Sequence, residues 1–444
     1  MKVLFLYPPK KVLGLNYLGP PVFNLGFLYM AAVLEEDGVE VEILDALAEQ
    51  LSVDQICAEV KERKPDIVGI TATTPTANSV LDLCDFIKET LKDSFIVLGG
   101  PHFSFSSEET LRNHPEVDCI VRGEGEYSFR DLVRAKKNNI KLDGIPGLTF
   151  KNGTGAIIKN KNRELIKDLD SLPYPAYHLI DIKKYGWLIK DPVSVSVSTS
   201  RGCIGGCNFC SSYVFWSKRW RARSPKSIFA EIEFLISNYD VKCISFSDEC
   251  FTWDIDRVEN FFDLILDSGL KIKFYIQARV DHIVQMKKIL PKLRKAGVLL
   301  VFTGLESADD KVLKSFNKDI RFSQVEEAFR LLHENDIWSW ASFIVCSPHE
   351  TSETYKKNRE LVEKTNPDFV GYQTYCIFPG TEKHKLEYAE KIDWDTMDSK
   401  SNFYSSKNMN AFESMLFIDW LKMSFPEKYS INLPNKILKK LASE

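Results

Sequence analysis

Long apolar runs and a strong net charge are both missing from this 444-residue chain. No stretch approaches the roughly 18 apolar residues that a membrane-spanning helix needs. The opening MKVLFLYPPKK reads as a short strand stopped by prolines rather than as a signal peptide. A formal charge of -4 gives no basic surface for nucleic acid or for a membrane. We therefore expect a soluble cytoplasmic protein with neither kind of partner.

Clustered cysteines are also scarce. Of the ten cysteines, seven are scattered through mostly apolar segments, as small buried side chains often are, and a cytoplasmic chain is not expected to use disulfides. The other three, Cys203, Cys207 and Cys210, form a C-x3-C-x2-C array in SRGCIGGCNFCSS. No second CxxC pair or neighbouring histidine pair completes a four-ligand zinc site. The array therefore provides three thiolates, one fewer than a closed structural metal site requires.

The first 135 residues alternate β-rich runs with segments of helical periodicity, which predicts a doubly wound, Rossmann-like parallel sheet. Its strands are expected at 3–7, 39–44, 66–71, 94–100 and 117–121. Ligands of such sheets bind at the carboxyl ends of the strands. The loops at those ends read YPPKKVLGLNYLGPP, TATTPTANS, GGPHFSFSS and RGEGEYS.

These four loops resemble, in the same order, those of the cobalamin-binding domain of cobalamin-dependent radical S-adenosylmethionine (SAM) enzymes. The resemblance covers residues 1–135. The paired glycines of the third loop would let the backbone approach a ligand closely. The resemblance implies cobalamin contacts for twelve residues, namely Thr71, Thr74, Pro75, Thr76, Gly99, Gly100, Pro101, His102, Arg122, Gly123, Glu124 and Gly125.

An Asp-x-His-x-x-Gly motif, whose imidazole binds cobalt in the better-known cobalamin proteins, is absent from the sequence. His102 and His114 are the only histidines among residues 1–135, and neither stands in that context. The resemblance therefore implies base-off cobalamin with no protein histidine as a cobalt ligand. His102 is expected to form a hydrogen bond within its loop, near the corrin.

Three further segments complete the predicted organisation. Residues 136–192 predict a linker with a β-hairpin, because an Asn152-Gly153 pair typical of a type I′ turn lies between two short apolar runs. Residues 193–384 repeat a strand and a helix six times, which fits a partial (β/α)6 barrel of the TIM type. Residues 385–444 contain AFESMLFIDWLKM and LPNKILKKLASE, which predict a helical C-terminal cap whose apolar face packs on the barrel.

The three clustered cysteines follow the first predicted barrel strand, and their spacing resembles that of the radical SAM superfamily. Three thiolates suit a 4Fe-4S cluster, with one iron left for the amino and carboxylate groups of SAM. The resemblance implies SAM contacts for seven further residues: Phe209 beside the adenine, the acidic pair Asp248 and Glu249 near the ammonium, Gln277 and Arg279 near the carboxylate, and Glu306 and Ser307 near the ribose.

Two segments leave alternatives open. Relatives usually read L-P-G-E-T after the fifth barrel strand, whereas this chain reads SPHET after Cys346. Because a positive φ is unfavourable for histidine, either the turn is rebuilt or His349 is strained. The segment SYVFWSKRWRARSP mixes aromatic and basic residues after the cysteines. It is expected to line the cavity or to cover the cluster rather than to bind nucleic acid.

The two resemblances imply a cobalamin-dependent radical SAM enzyme, most closely a methyltransferase that acts on an unactivated carbon of a small molecule. In such enzymes a donor such as flavodoxin or ferredoxin reduces the cluster, SAM yields a 5′-deoxyadenosyl radical, and methylcobalamin supplies the methyl group. Non-methylating reactions, such as ring formation, ring contraction or dehydration, use the same domain pair. A cobalamin-binding or sensing module with a vestigial barrel is an alternative of another class.

Overall fold

The computed structural model describes residues 1–9, 11–12, 15–16, 22–186, 193–387 and 408–428. These residues fold as two compact units. The first unit is built from residues 1–184, together with residues 214–217 and a segment that begins at residue 377. The second unit is built from residues 185–213, residues 218–376 and the C-terminal segment that contains residues 408–428.

The first unit contains a seven-stranded sheet in the order β4-β1-β5-β6-β7-β8-β9. Strands β1 and β4 to β7 are parallel, while β8 and β9 add antiparallel strands at one edge. The predicted doubly wound sheet is confirmed, and the order of its parallel strands is 2-1-3-4-5 in chain sequence. The strands are β1 (Lys2–Tyr7), the separate short pair β2 (Lys11–Val12) and β3 (Leu15–Asn16), β4 (Glu40–Asp45), β5 (Ile67–Thr71), β6 (Phe95–Gly99), β7 (Cys119–Val121), β8 (Leu148–Lys151) and β9 (Ile157–Lys159).

Helices cover both faces of this sheet, so alternate residues of a strand enter two different cores. Leu4 and Leu6 of β1 belong to one hydrophobic cluster, whereas Val3 and Phe5 belong to the other. Burial on both faces is the usual state of a parallel sheet. The helices are α1 (Leu25–Glu36), α2 (Val53–Arg63), α3 (Ala77–Thr90), α4 (Gly100–Asn113) and α5 (Glu126–Lys137), with single 3-10 turns at Thr74–Thr76, Leu169–Ser171, Tyr177–Leu179 and Ile182–Lys184.

Two local expectations in this unit are wrong. The segment GGPHFSFSS, predicted as a loop, is mostly the first half of α4, with Pro101 in its first turn, where a missing N–H costs nothing. The type I′ turn at Asn152-Gly153 does not form, because neither residue has a positive φ. Residues 152–156 instead form a longer loop, in which the Asn152 side chain accepts hydrogen bonds from the backbone of Thr154 and Ala156. Strands β8 and β9 on either side of this loop belong to the main sheet.

The second unit contains six parallel strands in sequential order, β10-β13-β14-β15-β16-β17. This order confirms the predicted partial (β/α)6 barrel. The strands of the unit are β10 (Ser194–Val197), β11 (Ser200–Gly202), β12 (Trp220–Ala222), β13 (Cys243–Phe246), β14 (Lys273–Gln277), β15 (Val298–Glu306), β16 (Trp338–Val345) and β17 (Phe369–Thr374).

The helices of the second unit follow their strands as the sequence pattern predicted. Helix α8 shows the local signals clearly: Asp254 caps its first turn by accepting a hydrogen bond from the Arg257 N–H, and Gly269 ends it with φ 70°. The helices are α6 (Ser211–Phe215), whose last two residues belong to the first unit, α7 (Pro225–Tyr239), α8 (Ile255–Ser268), α9 (Val280–Gln285), α10 (Leu290–Lys295), α11 (Asp310–Ser315), α12 (Phe322–Glu334) and α13 (Ser352–Thr365), with a 3-10 turn at Met286–Lys288.

The aromatic and basic segment after the cysteines forms α6, a turn and β12. Strand β12 pairs antiparallel with β11, so the two ends of the cysteine segment are held together. Arg223, directly after β12, is buried, donates to the Ser198 carbonyl oxygen and forms an ion pair with the buried Glu231. The Arg223 side chain therefore forms structural contacts inside the protein rather than a basic surface.

Among the described residues, two helices follow the last barrel strand. Helix α14 (Glu382–Glu387) belongs to the first unit. Helix α15 (Ala411–Ser424) belongs to the second unit and packs on α13, where Phe417 contacts Tyr355 and Trp420 contacts Arg359. The other predicted part of the cap, LPNKILKKLASE, lies outside the described residues. None of the helices in the described part of the chain is long and apolar enough to cross a membrane.

Candidate active site

A cavity in the second unit is lined by all three clustered cysteines. These cysteines lie between β11 and α6, just beyond the carboxyl end of β10. The cavity encloses about 840 Å³ of empty space when the solvent in its open mouth is included. Its other walls come from loops after β13 and β14, from β15 and from the segment after α11, and include Glu249, Cys250, Gln277, Arg279, Asp281, Phe302, Gly304, Glu306 and Lys318.

Three hydrogen bonds tie the cysteine segment to the end of α11. The backbone N–H of Asn208 donates to the Phe316 carbonyl oxygen at 3.2 Å, and its Nδ2 donates to the Ser315 carbonyl oxygen at 2.9 Å. Asn317 Nδ2 donates to the Gly206 carbonyl oxygen at 2.7 Å. Asn317 has φ 52°, a conformation that asparagine adopts more readily than most residues. A part of the chain about 107 residues away therefore positions the cysteines.

Two predicted SAM residues, Phe209 and Gln277, both line the cavity. The Phe209 ring also packs against Phe316, with 4.9 Å between ring centroids, and Phe316 stacks on Tyr375 at 5.7 Å. This aromatic stack restricts the rotamers of Phe209 and gives the cavity a fixed apolar wall.

The acidic pair after β13 is divided between two environments. Glu249 lines the cavity, and its Oε2 accepts a hydrogen bond from the Gly202 N–H at 3.0 Å. Asp248 is fully buried and accepts from the Thr199 hydroxyl at 2.8 Å and from the Ser200 hydroxyl. Burial raises the pKa of Asp248, although these hydrogen bonds oppose the change. Asp248 therefore supports the turn before the cysteines, and Glu249 is the carboxylate that faces the cavity.

Arg279 lies in the cavity wall and is already paired. Its Nε and Nη2 donate to the two carboxylate oxygens of Asp281 at 2.9 and 3.2 Å. Burial alone would lower the pKa of Arg279, but the hydrogen bond with Asp281 raises it. The guanidinium also lies 5.2 Å from the Trp253 ring centroid, within the range of a cation–π contact. Arg279 is therefore held in one orientation by a carboxylate and an indole.

Glu306 ends β15 in a left-handed conformation, with φ 65°. The register between β15 and β16 shifts beside it, which is a bulge of the kind often found near active sites. Its Oε1 lies 2.9 Å from Lys318 Nζ, and both residues line the cavity. Ser307, predicted with Glu306, is buried and accepts a hydrogen bond from the Asp309 N–H. Of these two residues, Glu306 is among the described residues that line the cavity, whereas Ser307 is not.

Two cavity residues, Lys318 and Cys250, were missed by the sequence analysis. Burial raises the pKa of the Cys207 thiol to about 11, and the Lys318 ammonium opposes that rise. Cys250, counted above among the scattered cysteines, lines the cavity, with its Sγ 3.8 Å from His282 Nδ1. Cys250 directly follows the Asp248-Glu249 pair, which was predicted to contact SAM, and this position could have identified it as a cavity residue. Lys318 lies in a segment that carried no signal in a single sequence.

The donor set of the cavity fits a 4Fe-4S cluster. The three cysteine side chains line one cavity, whose wall also contains the basic side chains of Arg279 and Lys318. Thiolates are the usual ligands of such clusters. Among the described residues, no group of three or more His, Cys, Asp or Glu side chains is arranged to hold a single metal ion. This does not conflict with a cluster, because each thiolate of a 4Fe-4S cluster binds a different iron.

The loop after β16 resolves the alternative that the sequence left open. His349 does not have a positive φ, and the left-handed residue of this loop is Cys346, with φ 64°. The turn is therefore rebuilt around Cys346. Glu350 is fully buried and accepts from the Ser347 N–H at 2.7 Å. Burial raises the pKa of Glu350 to about 8.

The predicted cobalamin loops follow β5, β6 and β7 in the first unit, while the first loop, after β1, lies mostly outside the described residues. Thr71 ends β5, and Thr74, Pro75 and Thr76 form the 3-10 turn that follows it. Gly100, with φ 91°, brings the start of α4 against that loop. A Cβ at Gly100 would lie 2.5 Å from the Ala72 carbonyl oxygen, so only glycine fits there. The loops after β5 and β6 are therefore closely packed against each other at Gly100. They lie at the carboxyl ends of parallel strands, where ligands of doubly wound sheets bind.

The charged side chains of the loop after β7 form hydrogen bonds with other residues of the first unit. Arg122 is buried and donates to the Asn162 side chain and to the Asn160 carbonyl oxygen. Glu124 accepts a hydrogen bond from the Ile166 N–H at 2.7 Å. The neighbouring Gly123 and Gly125 contribute backbone: the Gly123 N–H donates to the Ser104 hydroxyl at 3.0 Å. Arg122 and Glu124 therefore brace the loop, which leaves its backbone as the part able to contact a ligand.

His102 is buried in α4, and its Nδ1 lies 3.4 Å from the Thr74 hydroxyl. Burial lowers the pKa of His102 to about 4, and the nearby His384 contributes to this change. His384 of α14 belongs to the same unit, although it is far along the chain. The first unit therefore contains two histidines, His178 and His384, in addition to the two among residues 1–135.

Comparison with known proteins agrees with both halves of this description. Residues 12–133 match the family model of the B12 binding domain, and residues 197–362 match that of the radical SAM superfamily. An uncharacterized methyltransferase of Pyrococcus horikoshii is 34% identical over 398 residues, which cover 88% of this chain and 84% of that protein.

Two further proteins extend the comparison. The anaerobic magnesium-protoporphyrin IX monomethyl ester cyclase of Rubrivivax gelatinosus is 31% identical over 399 residues, which cover 88% of this chain and 71% of that protein. Among solved structures, the radical SAM methyltransferase TsrM from Kitasatospora setae matches with a TM-score of 0.70 at 19% identity, covering 85% of this chain and 74% of that one. At that identity the structural match concerns the fold.

Proposed function

Because the chain belongs to the cobalamin-dependent radical SAM enzymes, we propose that it transfers a methyl group to an unactivated carbon of a small-molecule substrate. The observation that carries this proposal is the cavity that the three clustered cysteines share with Glu249, Arg279 and Glu306. The relative named as a methyltransferase, which is 34% identical, supports the methyl-transfer part.

In this proposal each group of cavity residues has a separate task. Cys203, Cys207 and Cys210 bind a 4Fe-4S cluster through their thiolates. Glu249 accepts a hydrogen bond from the SAM ammonium, and Arg279 donates to the SAM carboxylate, both as charge-assisted contacts. Asp248 and Ser307 act through the turns that they brace. When bound, the cofactors supply reductive cleavage of SAM and a methyl group carried on cobalt.

Phe209, Gln277 and Glu306 complete the proposed SAM site. Phe209, fixed by its contact with Phe316, offers an apolar surface for the adenine. Gln277, at the end of β14, faces the same cavity, and Glu306 offers a carboxylate to the ribose hydroxyls.

In the first unit we propose that the corrin rests on the backbone of the loops after β5, β6 and β7. Thr71 to Thr76, Gly99 to His102 and Gly123 to Gly125 supply that surface, and Arg122 and Glu124 hold the third loop in shape. The close approach of Gly100 to Ala72 supports this assignment, because it fixes the loops after β5 and β6 against each other at the carboxyl ends of the parallel strands, where ligands of such sheets bind.

A non-methylating radical reaction, such as ring formation, is the second candidate. It is favoured by the relative named as a cyclase, which is 31% identical over 88% of this chain. Such a reaction would use the same cavity and the same cofactors. It differs from methyl transfer in the fate of the SAM methyl group, and an isotope label can follow that fate.

The test uses SAM that carries a deuterated methyl group. The anaerobically reconstituted holoenzyme is incubated with a low-potential reductant and a metabolite extract from cells that lack the gene, and the products are examined by mass spectrometry. We expect 5′-deoxyadenosine together with a small molecule that has gained one labelled methyl group. The Cys207→Ala protein serves as the control that should yield neither.

The other outcomes separate the alternatives. Formation of 5′-deoxyadenosine with loss of an extract metabolite, but with no labelled product, would favour the non-methylating reaction. If the protein retained cobalamin and cleaved no SAM under any reducing condition, the enzyme proposal would be wrong and a binding or sensing role would replace it.

Removal of the Arg279 charge should weaken SAM binding. Arg279→Met deletes a charged hydrogen bond, a contact worth roughly 1.5 to 3 kcal/mol, so the dissociation constant of SAM should rise about ten- to a hundredfold. Equilibrium binding to the reconstituted protein measures this, while the cluster absorbance should persist. Arg294→Met is the matched control, because Arg294 forms an exposed ion pair with Asp336 elsewhere in the unit. Parent-like affinity in Arg279→Met would refute the assignment.

Bound cobalamin should be base-off, with no imidazole nitrogen on cobalt. His102 is buried beside Thr74 and lies outside any cobalt-binding motif. In electron paramagnetic resonance of the Co(II) form, nitrogen superhyperfine splitting should therefore be absent in the parent. Splitting that vanished in His102→Ala or in His384→Ala would overturn this expectation and would identify the ligand.

The remaining parts of the proposal concern partners and compartment. We propose that a protein of the flavodoxin or ferredoxin class supplies the electron and that the enzyme acts in the cytoplasm. We propose no nucleic-acid partner, and the inward position of Arg223 in the basic segment supports this. The absence of a membrane-spanning helix among the described residues is compatible with this setting.

A further inference from the structure

Lys318 is a deeply placed cation in the wall of the cysteine cavity. Its Nζ lies 2.9 Å from Glu306 Oε1, and the two side chains are only 13% and 11% exposed. Lys318 and Cys207 line the same space. A charge in this position is poorly screened by solvent, so its effect on neighbouring groups is stronger than that of a surface lysine.

The surroundings of this pair are built to hold it. Gly304 leaves the necessary room, because a Cβ there would lie 2.4 Å from Glu306 Oε1 and 3.5 Å from Lys318 Nζ. Glu306 itself adopts a left-handed backbone conformation, which is costly for a glutamate and marks a position under functional constraint. Asn317, the residue before Lys318, is bonded to Gly206 in the cysteine segment. Lys318 is therefore fixed relative to the cysteines.

The charges of the cavity show what Lys318 contributes. Among the described residues that line it, the cations are Arg279 and Lys318, and the anions are Glu249, Asp281 and Glu306. Arg279 is engaged by Asp281 through two hydrogen bonds. In the proposed function three thiolates add negative charge that exceeds the net positive charge of the iron–sulfide core. An excess of negative charge in the cavity disfavours the uptake of an electron by the cluster, and the positive charge of Lys318 partly offsets this effect.

We propose that Lys318 raises the reduction potential of the cluster held by Cys203, Cys207 and Cys210, and that Glu306 lowers it. This inference rests on the proposed function. The step is the uptake of one electron by the cluster from an external low-potential donor of the flavodoxin or ferredoxin class. Lys318 stabilises the reduced, more negative site through its charge, as net local charge does in iron–sulfur proteins generally.

The effect can be separated from a structural role because the two members of the pair carry opposite charges. If Lys318 only supported the loop, then Lys318→Met and Glu306→Gln would disturb the same contact and would change the potential in the same way. If the charges act, the two variants must differ in sign. The asparagine hydrogen bonds to the cysteine segment are independent of the Lys318 side chain, so the loop should survive both substitutions.

The experiment is an anaerobic potentiometric titration of the reconstituted, SAM-free protein, followed by the electron paramagnetic resonance signal of the reduced cluster. We expect the equilibrium constant for one-electron reduction to be about tenfold lower in Lys318→Met than in Glu306→Gln, or about 59 mV. Lys318→Arg keeps the charge and should match the parent. Lys292→Met is the control, because Lys292 pairs with Glu259 and Asp263 outside the cavity.

Each outcome decides the inference. Equal potentials in Lys318→Met and Glu306→Gln would overturn it, and the proposed function would stand as long as the parent binds a cluster and cleaves SAM. Should Lys318→Met fail to assemble a cluster, the comparison of Glu306→Gln with the parent decides: a higher potential supports the inference and an unchanged one contradicts it. A parent that takes up no cluster would remove the proposed function and this inference together.

Discussion

Replacing Cys203, Cys207 or Cys210 by alanine should abolish SAM cleavage, which is among the largest effects expected from a single substitution in this chain. The three thiolates are the only protein ligands that the proposed cluster has, so the loss of one leaves an iron without its anchor. After anaerobic reconstitution, iron and sulfide content should fall and 5′-deoxyadenosine should not rise above background. Chemical analysis of iron and sulfide, with chromatography of the nucleoside, measures both.

Cys57→Ala is the matched control for this prediction. Cys57 lies on α2 in the first unit and is only half-buried, so its truncation should change neither the cluster nor SAM cleavage. Cys250 would be a poor control, because it lines the cavity. Production of 5′-deoxyadenosine at the parent rate by Cys207→Ala would show that the cluster ligands have been assigned wrongly.

Gly100→Ala should abolish the retention of cobalamin. Gly100 has φ 91°, and a Cβ there would lie 2.5 Å from the Ala72 carbonyl oxygen and 2.6 Å from the Thr71 hydroxyl. The Thr71 hydroxyl can rotate away, but the Ala72 oxygen belongs to the backbone, so the start of α4 must move away from the loop after β5. The proposed corrin surface is built from these two segments. The corrin absorbance that remains with the protein after gel filtration measures retention.

Gly153→Ala is the control for this substitution. Gly153 has no positive φ, and a Cβ there would meet open space. The cluster absorbance of Gly100→Ala should also persist, because the cysteines lie in the second unit. Parent-like retention of cobalamin by Gly100→Ala would remove the loops after β5 and β6 from the proposed site.

The fold could be predicted because its signals are local. Each parallel strand is a short apolar run, each helix has apolar residues at helical spacing, and both patterns can be read within a dozen residues. The cysteine array is local in the same sense, since Cys203, Cys207 and Cys210 fall within eight positions. Helix α4 was missed because glycine, proline and serine dominate its first turns, and these residues are more often found in loops.

The composition of the site could be predicted only in part, because it depends on contacts between distant segments. The position of Lys318 in the cavity wall depends on the bulge at Glu306 and on the hydrogen bonds of Asn208 and Asn317. None of these features leaves a pattern in the sequence. Asp248 and Glu249 are adjacent and alike in sequence, yet only Glu249 lines the cavity. Which of two neighbouring carboxylates faces a ligand is decided by packing, and sequence alone does not contain that choice.

The hydrogen bonds of Asn208 and Asn317 bear on how the enzyme is assembled in the cell. They hold the cysteine segment against a separately packed repeat of the barrel, so much of the conformational entropy of this segment is already lost on folding. In small zinc domains, by contrast, metal binding and folding are a single event. We therefore expect the cluster to be inserted into a chain that is already folded. When iron is scarce, the protein without its cluster should remain folded and should therefore resist degradation by proteases.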